Sequence, residues 1–547
     1  MLFQSFLLNR ISGIVGSLTT LAMVILFTIS LAAQQPALAP PVFKKIDMAL
    51  IFDANTEAVL ADKRLQSNIR RNLSFAKTRV YEVLRGGSGL NENFVIAEGT
   101  PDENTITNQQ LLIGWYRNYH FALMTQAANQ GAIDLQRLEF IKELTMICTD
   151  NDIHSNVVEQ IAIPQMKAFL QENYHPAVKY NAMLIIGQLN SQVVITDQGR
   201  GVPVPLPAAL TFMIDAIKSG TETDAILLAS WIGVLRHVRL NRINQQIAVN
   251  DIVAIAGEAM KLLNQATPPV TRSAGGQVWL QRRAIDVLAM IGQDDQNILP
   301  KILSIMQDEK AAMSLRLTAA RALKYFNYSP STQVPVELTS NGLGVLIVRI
   351  CRNEIDRVDQ EKALAALQGV SAVSSGEGDM GGAMGGMGGA MGGMGGAMGG
   401  MGGMGGAMGG MGGATEVESM LKPKEKRQVA YTRRILVYQL FHVYEAIGEK
   451  QVRTTPPIGM YAAVVQDAAG QVALDRIKDA MTALIDILRI PELDDSQKPV
   501  AEPNRDALLE SIAQEIRQLE SFVIPVETTP ETATTDTPAA AGALPGS

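Results

Sequence analysis

Cysteine is nearly absent from the 547-residue sequence, which has only Cys148 and Cys351, far apart in the chain. Two isolated cysteines exclude a paired-Cys zinc site, a CxxC redox motif and a dense disulfide framework. They read as two buried free thiols, with a single bridge between them as the alternative. Histidine is almost as scarce. His120, His154, His175, His237 and His442 show no HExxH or other metal-ligand spacing. Aromatic residues are 5% of the chain, and the net charge is −7. Duplex DNA binding needs a concentrated basic surface, so nucleic acid is not an expected partner. The nearest basic run, Lys422-Pro423-Lys424-Glu425-Lys426-Arg427, is short and interrupted, and reads as a solvated helix start. Also missing are a P-loop, a GxSxG elbow and a dinucleotide glycine fingerprint.

The acidic cluster nearest to a site is Asp150, Asp152 and His154. As a calcium loop it fails, because Ser155 stands where the sharp-turn glycine belongs and Ile161 where the bidentate glutamate belongs. These residues read instead as a helix link and cap. With no reactive constellation, the expectation is a protein that is not an enzyme, with no catalytic, metal or cofactor-binding residue and no cofactor. An enzyme with a loop-built site lacking any local motif is the alternative.

What the chain does have is apolar surface, 47% of its residues, enough for a large core. Residues 11–33 carry no charge and follow Arg10. As a helix they would extend about 34 Å at a rise of about 1.5 Å per residue, enough for a bilayer core of about 30 Å. Ser30-Leu31-Ala32 is an acceptable small-x-small cleavage site, whereas Pro40 directly follows Ala37-Leu38-Ala39 and should hinder cutting there. No cysteine follows the segment, which excludes a lipoprotein anchor. Two readings stay open, a cleaved signal peptide or a retained single-span anchor. Both place the protein on the exported side of a membrane, and the second adds the membrane itself as a partner.

Residues 1–40 are therefore the export segment with its Pro-containing spacer, and 41–104 a mixed segment with a glycine turn at Gly86-Gly87-Ser88-Gly89. From there the pattern is helical. Asn108–Gln130 and Asp134–Cys148 have apolar residues at helical spacing, with Gly131 between them as a stop. Short strands are expected near Ala49–Phe52 or Phe94–Ala97. Further along, Gln428–Gly448, Ala473–Ile490 and Asn504–Phe522 read as helices. The last has Leu508, Ile512, Ile516 and Leu519 on one face, suited to capping the fold.

Three segments repeat one pattern: HPAVKYNAMLIIGQLN from His175, VWLQRRAIDVLAMIGQ from Val278 and AMSLRLTAARALKYFN from Ala312. Aligned on Ala182, Ala284 and Ala319, each has an inward stripe at i, i+3, i+4 and i+7. The stripes are Ala182, Ile185, Ile186, Leu189; Ala284, Val287, Leu288, Ile291; and Ala319, Ala322, Leu323, Phe326. The small first residue permits close approach of a neighbouring helix. Asn190, Gly292 and Asn327 follow the stripes, residue types that tolerate the left-handed conformation ending a helix. First helices are expected upstream at Val157–Gln171 and Ile298–Gln307. A weaker unit has Leu228, Trp231, Ile232 and Leu235, with Arg236 in the stop position. Another has Leu440, Val443, Tyr444 and Ile447, closed by Gly448.

These segments resemble the second helix of HEAT repeats, with Val178-Lys179, Leu280-Gln281 and Leu315-Arg316 at that family's apolar-basic pair. The resemblance covers roughly residues 105–370, and 421–450 more weakly. It implies an all-α, HEAT-like solenoid of stacked helical hairpins with long loops at Gly201–Pro207 and Thr267–Gly276. Residues 105–370 would hold the repeats and 421–522 continue or cap them. The family's usual activity, protein–protein scaffolding on a concave face, comes with the resemblance and not from periodicity.

Between the helical parts, residues 371–420 are Gly/Met-rich, and residues 523–547 form a Thr/Pro/Ala/Glu-rich tail. Both are expected to be disordered, the first as a tether. One alternative for the tract is Cu(I) binding by thioethers such as Met384, Met387, Met391 and Met394, making the protein a soft-metal carrier. Another is weak apolar attraction for unfolded chains. The function expected overall is a non-enzymatic, exported or membrane-tethered scaffold for a protein partner.

Overall fold

The computed structural model describes residues 40–44, 46, 66–95, 105–196, 199–265, 267–292, 297–328, 334–373, 423–450, 456–489 and 503–523. The N-terminal apolar segment, the Gly/Met tract with its methionines, the C-terminal tail and the strand expected at Ala49–Phe52 lie outside the described residues.

Among the described residues the fold is all-α, with two short antiparallel strand pairs, β1 (Asn93–Val95) with β2 (Thr105–Thr107) and β3 (Ile195–Thr196) with β4 (Gly199–Arg200). The chain divides into two compact units, Met1–Glu258 and Ala259–Ser547. Among the described residues no helix is long and apolar enough to cross a membrane.

Unit 1 begins with α1 (Gln66–Leu84). The helix α2 over residues 108–125 starts at a capping box, in which the Gln110 N–H donates to Thr107 Oγ1 at 3.2 Å and the Thr107 N–H donates to Gln110 Oε1 at 2.9 Å. Its middle, Ile113–His120, is π-helical. Gly131 does not end this helix. The chain leaves it at Gln126, which is extended, and Gly131 lies in a 3₁₀ stretch, Ala127–Ala132. Then follow α3 over residues 133–147, closing in a π turn at Glu143–Ile147, and α4 over residues 151–171, π-helical at Asn156–Ala162. Next come α5 (Pro176–Gln188), α6 (Pro207–Ser219) and α7 (Asp224–Asn244). Pro176 and Pro207 stand in the first turn, where the missing N–H costs nothing.

In this unit α4 packs on α5, α3 on α5, α5 on α7, and α6 on α7. The stripe Ala182, Ile185, Ile186 and Leu189 is buried. A close crossing lies elsewhere on α5, at Gly187. A Cβ there would come within 2.7 Å of the Gly233 Cα on α7, and one on Gly233 within 2.2 Å of Met213 Sδ from α6. Nor does Asn190 take the left-handed conformation, for α5 ends in extended Leu189. Instead Asn190 Oδ1 accepts from Arg236, which also donates to the Gly187 carbonyl at 3.3 Å. Arg236 therefore sits inside α7 and ties it to α5. The helix runs on to Gln245, a left-handed non-glycine residue. Since α7 is buried on several sides, Leu228 and Ile232 are only half-buried while Ile226, Leu227, Trp231 and Val234 form its core face.

The boundary between units falls within α8 (Val249–Asn264). Unit 2 contains α9 (Ala274–Ile291), α10 (Ile298–Gln307), α11 (Met313–Ala322), α12 (Val336–Val373), α13 (Pro423–Ile447), α14 (Met460–Ala463), α15 (Ala468–Leu488) and α16 (Arg505–Glu520). Helix α11 packs on both α9 and α13, α10 pairs with α11, and α12 packs on α13, α15 and α16. Ala284, Val287, Leu288, Ala319, Ala322, Leu323 and Phe326 are buried, whereas Ile291 is half-buried. Gly292 is left-handed at φ 71°, as its stop role requires, but Asn327 is not. The third repeat tightens into a 3₁₀ turn, Leu323–Tyr325, and its Asn327 N–H donates to the Gly292 carbonyl at 3.0 Å. Leu508, Ile512, Ile516 and Leu519 of α16 are all buried within the unit, against α12 and α15.

Candidate functional site

The structure scatters the acidic cluster singled out in the sequence. Asp150 Oδ1 accepts from the N–H groups of Asp152 (2.9 Å) and Ile153 (3.0 Å), capping α4. His154 points into the core, where burial pushes its pKa down to about 4 and neither ring nitrogen has a hydrogen-bond partner among the described residues. His237 is held neutral in the same way at about 3. Cys148 and Cys351 are buried free thiols, and burial pushes each up to about 12, so neither is a ready nucleophile. Among the described residues no group of three or more His, Cys, Asp or Glu could hold a metal ion.

Unit 1 buries one carboxyl that sequence reasoning missed. Glu143, at the π turn ending α3, accepts from Tyr116 Oη at 2.9 Å and Tyr81 Oη at 3.1 Å. Around it Tyr116, Phe121 and Phe140 stack edge-on, with Phe121 and Phe140 centroids 4.9 Å apart. Burial pushes the Glu143 pKa up, outweighing the two phenol donors, and the Glu139 charge adds to the rise. A carboxyl whose folded-state pKa is raised favours folding fully only below its unfolded pKa, and that contribution is lost as pH rises through the folded value. Glu143→Gln should therefore leave the protein near wild type at pH 4 and more stable than wild type at pH 8. Urea melts across that range would read the difference, which should open above the unfolded carboxyl pKa and level off once the pH has passed the folded value.

The most exposed chemistry in unit 2 lies on α9, α11 and α13. On α9, Trp279, Arg282, Arg283 and Asp286 recur at i, i+3, i+4 and i+7, so they share one face. Tyr438, Phe441, His442 and Glu445 repeat the same spacing on α13. Between them α11 contributes Thr318 and Arg321. Asp286 takes Arg283 at 3.0 Å and also Arg321, stapling α9 to α11, while Lys324 takes Glu445 at 3.0 Å. Arg316, in contrast, is buried and donates from Nε to the Met306 carbonyl at 3.0 Å, tying α11 to the end of α10.

Arg282 has no ion-pair partner among the described residues. Its Nε donates to Thr318 Oγ1 at 3.1 Å and its guanidinium lies 4.9 Å from the Trp279 ring centroid. Burial lowers its pKa, and the neighbouring Arg283 charge adds to the effect. The His442 ring packs edge-on against Tyr438, centroids 4.9 Å apart. Burial and then the Arg321 charge hold it below the usual imidazole range. The large apolar groups stay in water. Trp279 is 45% exposed, Phe441 53% and Tyr438 60%. The result is an aromatic surface with surplus positive charge, suited to an acidic, partly apolar ligand.

Compared with models of known protein families, with curated proteins and with solved structures, the chain matches none. None of these comparisons supports a HEAT-repeat family assignment.

Proposed function

We propose that this chain is a non-enzymatic, HEAT-like scaffold, exported or membrane-tethered through its N-terminal apolar segment. On this reading it binds a protein partner through the aromatic and arginine face of α9, α11 and α13. The observation that carries this reading is the juxtaposition of exposed Trp279 and Tyr438 with Arg282, which has no carboxylate partner among the described residues. Trp, Tyr and Arg are the residues that concentrate binding energy in protein interfaces. The partner surface that fits is an acidic segment with an apolar side chain, whose carboxylate would complete Arg282. The order of contacts supports stacked hairpins. The second helices α5 and α7 adjoin in unit 1, and α9, α11 and α13 adjoin in unit 2.

A photo-crosslinking residue at position 438 of the full chain, in native membranes, tests the reading. One adduct of defined mass should form, and Arg282→Glu in the same chain should abolish it. The proposal fails if the folded, membrane-associated chain forms no adduct from position 438, or forms it equally with Arg282→Glu.

A further inference from the structure

Residues 40–44 of unit 1 are fastened along their whole length. Asn173 Nδ2 donates to the Pro40 carbonyl at 3.1 Å, and the Val42 N–H donates to the Asn173 carbonyl at 2.8 Å. The Lys44 N–H donates to Thr125 Oγ1 at 2.9 Å, Gln126 Nε2 to the Lys44 carbonyl at 2.7 Å, and Lys44 Nζ to Gln165. This strap thus bridges the end of α2, the middle of α4 and the turn after it. Yet Val42 and Phe43 project outward, Phe43 being 69% exposed. The hydrogen bonds of the strap thus hold an aromatic and a branched apolar side chain in water at a fixed place on unit 1.

Covalent reach says what lies beside that place. The uncharged segment ends at Ala33, and Pro40 is already bonded to the body of unit 1. At about 3.5 Å per residue the seven steps between them span at most about 25 Å. If the apolar segment enters a bilayer, the Phe43 surface cannot be far from its headgroups. Its charges suit that neighbour. Burial first and then the Arg117 charge hold the Lys44 pKa down to about 8, with the Glu172 charge acting the other way, and Arg117 itself is exposed. Aromatic and basic side chains together favour the interface of an anionic membrane.

We propose that unit 1 rests on the bilayer through this surface, with Val42 and Phe43 at headgroup depth and exposed Arg117 toward anionic lipid phosphates. The inference rests on the retained-anchor reading of the N-terminal segment. The test is the full chain carrying Phe43→Cys with a nitroxide label, reconstituted into vesicles of phosphatidylcholine and phosphatidylglycerol. Both native cysteines are buried, so labelling is selective. The label should be open to oxygen and several-fold less accessible to an aqueous nickel chelate than the same label at exposed Val270. If the chain floats with the vesicles while both labels see nickel equally, the inference is overturned and the anchor stands. Exclusion of both oxygen and nickel would mean a protein covers Phe43, which also overturns it. A chain that does not float overturns the anchor reading and the inference with it.

Discussion

Gly233→Ala should destabilise unit 1 by about 3 kcal/mol or more, the upper end of what overpacking a core costs. The added methyl would meet Met213 Sδ at 2.2 Å and the Gly187 Cα at 2.9 Å. A flexible methionine can move aside, but the backbone of α5 cannot without giving up the buried stripe Ala182, Ile185 and Ile186. Trimming the sulfur as well, in Gly233→Ala with Met213→Ala, should therefore recover only part of the loss. Gly257→Ala is the matched control. It lies in α8 with nothing within 4 Å of the new methyl, and should stabilise by about 0.5–1 kcal/mol through helix propensity. Thermal and urea unfolding of the four proteins would decide it. Equal stability of Gly233→Ala and Gly257→Ala would mean that α5 and α7 do not cross as described.

That crossing marks the limit of what was legible in the chain. Apolar periodicity located the helices well wherever one face is buried and both ends are signalled. Ile298–Gln307 matches its expected bounds, and Asn504 caps α16 at the Ala507 N–H. Periodicity pointed to Ala182 as the place of closest approach, because the repeat pattern puts a small residue there. Two backbones also meet closely at Gly187, a position that depends on the angle at which two helices cross, and no single-helix pattern encodes that angle. The stops at Asn190 and Asn327 failed for a related reason. Residue type says that a left-handed turn is tolerated, but tertiary hydrogen bonds from Arg236 and to Gly292 took those residues elsewhere. The π turns in α2, α3 and α4 likewise leave no mark in the spacing of apolar residues.

The candidate site was half visible. Attention to the inward stripes left the outward ones unread, though Trp279-Arg282-Arg283-Asp286 and Tyr438-Phe441-His442-Glu445 share one spacing. Their proximity needed α11 between α9 and α13, and the chain from α11 to α13 passes through a long helix and the Gly/Met tract. Sequence distance hid the relation. The Glu143 network was hidden differently, since Tyr81, Tyr116 and Glu143 come from three helices with no shared period.

Given a partner identified by crosslinking from position 438, Tyr438→Ala and Trp279→Ala should each weaken its binding by about 30-fold or more. Truncating a central aromatic anchor costs at least about 2 kcal/mol, and about 1.4 kcal/mol is tenfold in Kd. Neither change should unfold unit 2, because both side chains are largely in water and the Asp286 bridges to Arg283 and Arg321 remain. Arg282→Lys is the sharper probe. A lysine keeps the charge but loses the planar group that stacks on Trp279 and the fork that would take a carboxylate in two bonds. It should therefore bind weakly, closer to Arg282→Glu than to wild type, while Val270→Ala, exposed elsewhere in the unit, binds as wild type. Titration calorimetry at two salt concentrations separates the contributions. The aromatic losses should be nearly independent of salt and the Arg282 losses should shrink as salt rises. Should Arg282→Lys bind like wild type, long-range charge alone would account for the affinity, and the built contact between guanidinium, indole and carboxylate would not exist.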